Sequence, residues 1–141
     1  MINLVTDRTE ADSLLGTAKG QYNADDLNRV ESAVAELCDL ALSVGVALDL
    51  VTKTDWSLPG DFRASDWPTE SQMRRYIGNV TALCDAFSVV NGNLPNSMSR
   101  LTWEGANAIE ESLVAVYSRV QGTLDAYRYS GEFYAGEEIS L

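Results

Sequence analysis

The sequence predicts a mostly α-helical protein, with three long helices in a bundle and a small two-stranded β element. The composition is that of a soluble globular chain, since 45% of the 141 residues are apolar and 22% are charged. Three segments repeat apolar residues at steps of three and four, the period of an amphipathic helix. Each of these segments begins at helix-capping residues or ends at turn residues. We therefore expect residues 1–141 to form a single helical domain.

The first long helix is predicted from Ala24 to Val44. Asn23 is a suitable N-cap, acidic residues follow it in the first turn, and Gly45 ends the helix. The apolar stripe of this helix consists of Leu27, Val30, Val34, Leu37, Ala41 and Val44. A short helical turn over residues 10–15, capped by Thr9 and closed by Gly16, is predicted before it.

The second long helix is predicted to start at a capping box, in which Thr69 is the N-cap and Gln72 the third helical residue. It should end between Phe87 and Val90, because Asn-Gly-Asn at 91–93 and the proline at 95 form a turn. The apolar face comprises Met73, Tyr76, Ile77, Val80, Leu83, Cys84 and Phe87.

The third long helix is predicted from Thr102 to about Tyr127. Two stretches alternate apolar and polar residues with the period of a strand, Val46–Thr52 and Arg128–Tyr134. Because one follows the first long helix and the other follows the last, we expect them to pair as the two-stranded element. The aromatic-rich connection over residues 54–68 is predicted to be an ordered loop.

A short pattern occurs twice, as Asn28-x-Val-Glu31-x-x-Val34 and as Asn107-x-Ile-Glu110-x-x-Leu113. The repetition indicates two helices that meet the core in the same way. The two asparagines would lie at the margin of the apolar stripe, where a side-chain amide can bind the backbone of an extended segment.

The charge excludes several classes of partner. The net charge is −11, and the only adjacent basic residues are Arg74 and Arg75. Nucleic acids and anionic membrane surfaces require clustered basic residues, so neither is an expected partner. No apolar stretch is long enough to cross a bilayer, and the first residues do not form a signal peptide.

The sequence offers no catalytic, metal-ligating or cofactor-binding residues, so no cofactor is expected and an enzyme is the least expected class. Histidine is absent, which removes the commonest general base and the commonest zinc ligand. Cys38 and Cys84 lie within apolar periodic segments and are predicted to be buried thiols, although a disulfide between them stays open.

Aromatic residues near loops and in the last fifteen residues are the candidate interaction sites. Buried, they would anchor loops to the core; exposed, they would form a contact surface. Likewise, residues 128–141 would either complete the domain's own sheet or act as a strand or arm that docks on a neighbouring subunit. The candidate interaction residues are Trp56, Phe62, Trp67, Tyr129, Phe133 and Tyr134.

Several stretches together resemble a small protein family encoded in phages and prophages of Gram-positive gut bacteria. They include Thr52-Lys-Thr-Asp-Trp56 and Tyr129-Ser-Gly-Glu-Phe133, and in full they cover residues 6–12, 22–31, 52–56, 68–76, 101–110 and 129–137. Members of that family look like minor structural proteins of the tail region. The resemblance carries no catalytic residues.

The expected function is therefore that of a non-enzymatic structural subunit of a phage tail or neck. Its partners would be other virion proteins and copies of itself, and it would be assembled in the host bacterial cytoplasm into the virion. Two alternatives stay open from the sequence. One is an appendage that binds host-surface glycan through exposed tryptophans, and the other is an acidic inhibitor of a host nucleic-acid-binding protein.

Overall fold

A computed structural model describes residues 4–15, 24–56 and 68–133, with side chains described as far as residue 126. Four helices lie in these ranges: α1 (Glu10–Leu15), α2 (Ala24–Ser43), α3 (Glu70–Ala86) and α4 (Trp103–Phe133). The three long helices α2, α3 and α4 pack on one another around one apolar core, which confirms the helical bundle. The side chains of this core with no exposed surface are Val30, Leu37, Val80, Leu83, Ile109, Leu113, Val116 and Val120.

The helix ends follow the predicted capping chemistry. The Thr69 hydroxyl accepts a hydrogen bond from the Gln72 N–H, and the Gln72 side chain accepts one from the Thr69 N–H, so the capping box opens α3. At the end of α2, Gly45 has a φ of 83° and the Val46 N–H donates to the Ala41 carbonyl at 2.9 Å. This left-handed glycine closure satisfies carbonyl groups of the last turn.

The predicted β element is wrong, since none of the described residues forms a strand. In Val46–Thr52, burial does alternate with a period of two, and Val46, Leu48 and Leu50 pack against the core. Side chains of α3 bind the backbone of this segment where a neighbouring strand would, since Arg75 and Asn79 both donate to the Val51 carbonyl. The alternation was therefore real, but it reflects an extended segment held by a helix.

The second predicted strand also adopts a different structure. Arg128–Phe133 forms the last part of α4, which runs for 31 residues instead of ending near Tyr127. Gly131 lies within this part of the helix, but a glycine in a helix costs only about 1 kcal/mol, and each residue that extends an existing helix adds a hydrogen bond. Tyr134 lies outside the described residues.

Candidate functional site

The repeated Asn-x-x-Glu pattern occupies the same position in two helices. Asn28 and Glu31 are the fifth and eighth residues of α2, and Asn107 and Glu110 are the fifth and eighth residues of α4. Residues three apart lie next to each other on a helix surface, so each pair presents an amide beside a carboxylate. We call Asn28 with Glu31 the α2 clamp, and Asn107 with Glu110 the α4 clamp.

Each asparagine binds both backbone groups of one residue in an extended segment. Asn28 accepts from the Trp56 N–H at 2.7 Å and donates to the Trp56 carbonyl at 2.9 Å. Asn107 accepts from the Arg8 N–H at 3.0 Å and donates to the Arg8 carbonyl at 2.9 Å. The side-chain amide thus pairs with the chain as a neighbouring strand would. This confirms the prediction that both asparagines bind extended backbone.

The carboxylate of the α4 clamp lies in a buried cluster of four charges. Glu110 has no exposed surface and accepts from Arg8 at 2.6 Å, from Arg29 at 2.7 and 2.9 Å, and from the Val5 N–H at 2.9 Å. Asp26 accepts from both guanidinium groups as well. Hydrogen bonds to Glu110, and then to Asp26, raise the pKa of Arg29. Two carboxylates therefore face two permanent cations, and the cluster is neutral.

The carboxylate of the α2 clamp binds one indole and one guanidinium. The Trp56 indole N–H donates to Glu31 at 2.9 Å, and Arg75 donates through two nitrogens at 2.7 Å each. The hydrogen bond to Glu31 raises the pKa of Arg75. Because Arg75 also binds the Val51 carbonyl, the α2 clamp ties α3 to the segment that follows α2.

Both clamps are built to bind peptide and hold no unsatisfied charge. In each, the amide fixes the backbone of one residue, and the carboxylate selects a side chain with N–H donors, arginine in one clamp and tryptophan in the other. Hydrogen bonds between a guanidinium and a carboxylate are shorter and stronger than those between neutral groups. The two clamps thus hold extended segments of the chain against the surfaces of α2 and α4.

Of the predicted interaction residues, the structure describes the side chain of Trp56. Trp56 is buried, with 4% of its surface exposed, so its ring is part of the interior, and Lys53 lies over that ring at 5.1 Å. Trp103 is half-buried at the start of α4. Tyr129 and Phe133 lie in the last part of α4, beyond the described side chains, while Phe62, Trp67 and Tyr134 lie outside the described residues.

Sequence reasoning found the clamps' asparagines but assigned no role to their cations. Arg8, Arg29 and Arg75 were not singled out. One further signal was present in the sequence. The residue whose backbone the asparagine binds follows Thr-Asp in both segments, at 6–8 and at 54–56. Recognising that Thr-Asp-Arg and Thr-Asp-Trp play the same part would have paired each with an Asn-x-x-Glu helix.

Two cysteines and one groove lie apart from the clamps. Cys38 and Cys84 are both free, and burial raises the pKa of each thiol. A groove of about 700 Å³ lies between the first turns of α3 and residues 96–99, with Met73, Ile77 and Met98 among its walls. Within the described ranges, no three potential metal-ligating side chains are grouped, and no helix is long and apolar enough to cross a membrane.

The fold and the clamps together define a helical-bundle protein that grips its own extended segments with paired asparagine and glutamate side chains. No protein-family model, curated protein or solved structure matches the chain.

Proposed function

We propose that this protein is a non-enzymatic structural subunit of a phage tail or neck, acting through contacts with other virion proteins and with copies of itself. In this proposal it is assembled in the host bacterial cytoplasm and resides in the virion. The family resemblance of six stretches motivates the proposal. The extension of α4 beyond the core carries it.

The core contacts of α4 become sparse after Val120. Among the described side chains of α4, which end at residue 126, Val120 is the last with no exposed surface, and the helix continues to Phe133. At 1.5 Å per residue, about 20 Å of helix follow Val120. Of the side chains described beyond Val120, only Leu124 packs against the core.

The last part of α4 is the proposed docking arm. Most helical stability in proteins comes from the burial of an apolar face. Tyr129 and Phe133 are four positions apart in this part of α4, a spacing that places two residues on the same side of a helix. In the proposal, this aromatic side packs on a neighbouring subunit.

The clamps contribute the rigid base from which the arm projects. Two extended segments are fixed to α2 and α4 by hydrogen bonds that are buried at Arg8 and partly buried at Trp56, and the carboxylates nearby face arginines. A structural subunit requires such a fixed body, because contacts in an assembly depend on the relative position of its surfaces.

The test is incorporation of altered subunits into phage particles. We expect a chain that ends after Tyr127 to keep its helical circular dichroism spectrum and to be lost from purified particles. The double substitution Tyr129→Ala and Phe133→Ala should reduce incorporation at least tenfold, whereas Glu111→Ala, at an exposed position of the same helix, should not. Normal incorporation of the shortened chain would contradict the proposal.

A further inference from the structure

The register of α4 places the two aromatic residues of the docking arm on the side of the helix away from the core. The buried stripe of α4 includes Val120, and the partly buried Leu124 continues it. At about 100° per residue, Tyr129 and Phe133 fall on the opposite side of the helix from this stripe. The exposed Ala126 belongs to that opposite side as well. The arm therefore presents an aromatic pair to the surroundings of the bundle.

The groove beside α3 combines an apolar lining with a charged rim. Met73 and Ile77 of α3 and Met98 of the loop after α3 give it the apolar lining. Glu70 and Arg74 stand on the rim, where they pair with each other at 3.0 Å and are both exposed. Methionine side chains adapt to irregular ligands and make favourable sulfur contacts with aromatic rings. The groove is thus suited to an aromatic segment that carries charges beside its rings.

The groove and the docking arm lie at opposite ends of α4. Pro95 precedes the groove wall at 96–99, and its ring lies 3.6 Å from the position of a β-carbon on Gly105, in the first turn of α4. Tyr129 follows Gly105 by 24 residues, which is about 36 Å of helix. Because a continuous helix keeps its two ends apart, the arm of one chain cannot enter the groove of the same chain. A neighbouring copy has to supply the groove.

The charges of the arm and of the groove rim match in one orientation. Arg128 and Glu132 directly precede the two aromatic residues and are four positions apart. Glu70 and Arg74 have the same spacing with the signs in the opposite order. An arm parallel to α3 brings each of its charges beside an opposite charge, whereas an antiparallel arm brings like charges together. The exposed rim pair contributes little by itself, so its members can take new partners at small cost.

We propose that the groove of one copy of this chain receives the docking arm of the next copy, with the arm parallel to α3 and with Tyr129 and Phe133 against the apolar lining. This inference rests on the proposed function, because it names the surface to which the proposed arm binds. The two surfaces differ and lie at opposite ends of the molecule, so the contact is head-to-tail. Head-to-tail contacts repeat from copy to copy and produce a closed ring or an open filament.

The first test mixes two full-length variants that each lack one half of the contact. The arm variant carries Tyr129→Ala and Phe133→Ala, and the groove variant carries Met98→Glu. We expect the affinity-tagged arm variant to capture the untagged groove variant in a complex of two chains of 15.4 kDa each. Tagged and untagged arm variants should give at least tenfold less capture, because their mixture contains no intact arm. Two groove variants should behave likewise, because they offer no intact groove.

A second test exchanges charges to determine the orientation. The rim exchange, Glu70→Arg with Arg74→Glu, alters two exposed residues and also replaces the groove variant where Met98→Glu does not fold. In sedimentation experiments the wild-type chain should form species of more than one copy, and the rim exchange should weaken this association at least fivefold. Addition of the arm exchange, Arg128→Glu with Glu132→Arg, to the same chain should restore the association to within about twofold of wild type.

The outcomes separate this inference from the proposed function. The inference fails if the folded arm and groove variants do not capture each other, or if the rim exchange leaves self-association unchanged. It also fails if the arm variant is lost from phage particles while the groove variant is incorporated normally. The arm would then bind a different virion protein, and the proposed function would stand. Normal incorporation of the arm variant would instead contradict the proposed function itself.

Discussion

The two clamps share their frame and differ in how they neutralise their carboxylates. In both, an asparagine at the fifth helical residue holds a backbone and a glutamate at the eighth holds a side chain. The α4 clamp closes two carboxylates with two guanidinium groups, and the side chain of Arg8 is only 2% exposed. The α2 clamp closes one carboxylate with an indole and with Arg75, whose side chain is 23% exposed.

This difference separates the backbone binding that the two clamps share from the side-chain binding that is particular to each clamp. The asparagine recognises only backbone, so it accepts arginine or tryptophan alike. The glutamate requires N–H donors, and two of its donors are charged where a second carboxylate, Asp26, lies beside it. Because Arg8 is buried more deeply than Arg75, the α4 clamp should be the more sensitive to loss of a charge, and the following substitutions test that order.

Replacement of Glu110 by alanine should have the largest effect. It removes a carboxylate that both Arg8 and Arg29 contact, with Arg8 buried, and removal of one partner from a buried charge cluster costs about 3–5 kcal/mol. Urea denaturation followed by circular dichroism measures this loss in the free energy of unfolding. The matched control is Glu111→Ala, at the exposed neighbouring position, which should stay within about 0.5 kcal/mol of wild type. A loss below about 1 kcal/mol for Glu110→Ala would refute the importance of the cluster.

Replacement of Glu31 by alanine should cost less, about 2–3 kcal/mol. The buried Trp56 indole N–H loses its acceptor, but Arg75 can turn towards water because its side chain is partly exposed. Asp39→Ala, on the exposed side of the same helix, serves as the control. If Glu31→Ala destabilised the protein more than Glu110→Ala in the same denaturation series, the relation between burial and sensitivity would be wrong.

The two asparagines give the most direct comparison, because each makes the same pair of backbone contacts. Asn107→Ala leaves the buried backbone groups of Arg8 without partners and should cost about 2 kcal/mol. Asn28→Ala should cost about 1 kcal/mol, since the contacts of Trp56 are only partly buried and water can replace the amide. We expect Asn107→Ala to unfold at a lower urea concentration than Asn28→Ala. The reversed order would show that the burial of a clamp does not determine how much it stabilises the protein.

The helices and asparagines of these clamps could be predicted from the sequence, because they depend on residues that are close together in the chain. Helix boundaries at Gly45 and Thr69 depend on residues within one turn of chain, and the repeated Asn28 and Asn107 are visible as letters. What fills each clamp is not local. Arg8 is 102 positions from Glu110, and the Thr-Asp that precedes both Arg8 and Trp56 does not say which helix binds which segment.

The failed β prediction has the same origin. Alternation in Val46–Thr52 correctly indicated an extended segment with one buried side, but the period alone does not say what satisfies the backbone. Here Asn79 and Arg75 of α3 take the place of a partner strand. The strand predicted over Arg128–Tyr134 failed differently, because its short alternation was outweighed by continuation of an existing helix to Phe133.

The smallest predicted effect concerns the charge on the exposed side of the α2 clamp. Arg75→Lys keeps the positive charge but loses the two-nitrogen contact to Glu31, while the Trp56 indole stays bound, so we expect a cost of about 0.5–1 kcal/mol. Its neighbour Arg74 provides the control, since Arg74→Lys alters only a surface pair with Glu70 and should change the free energy of unfolding by less than about 0.5 kcal/mol. A cost for Arg75→Lys as large as that of Glu31→Ala would mean that the guanidinium geometry, and not the carboxylate, holds this clamp together. The α2 and α4 clamps would then differ in kind and not only in depth.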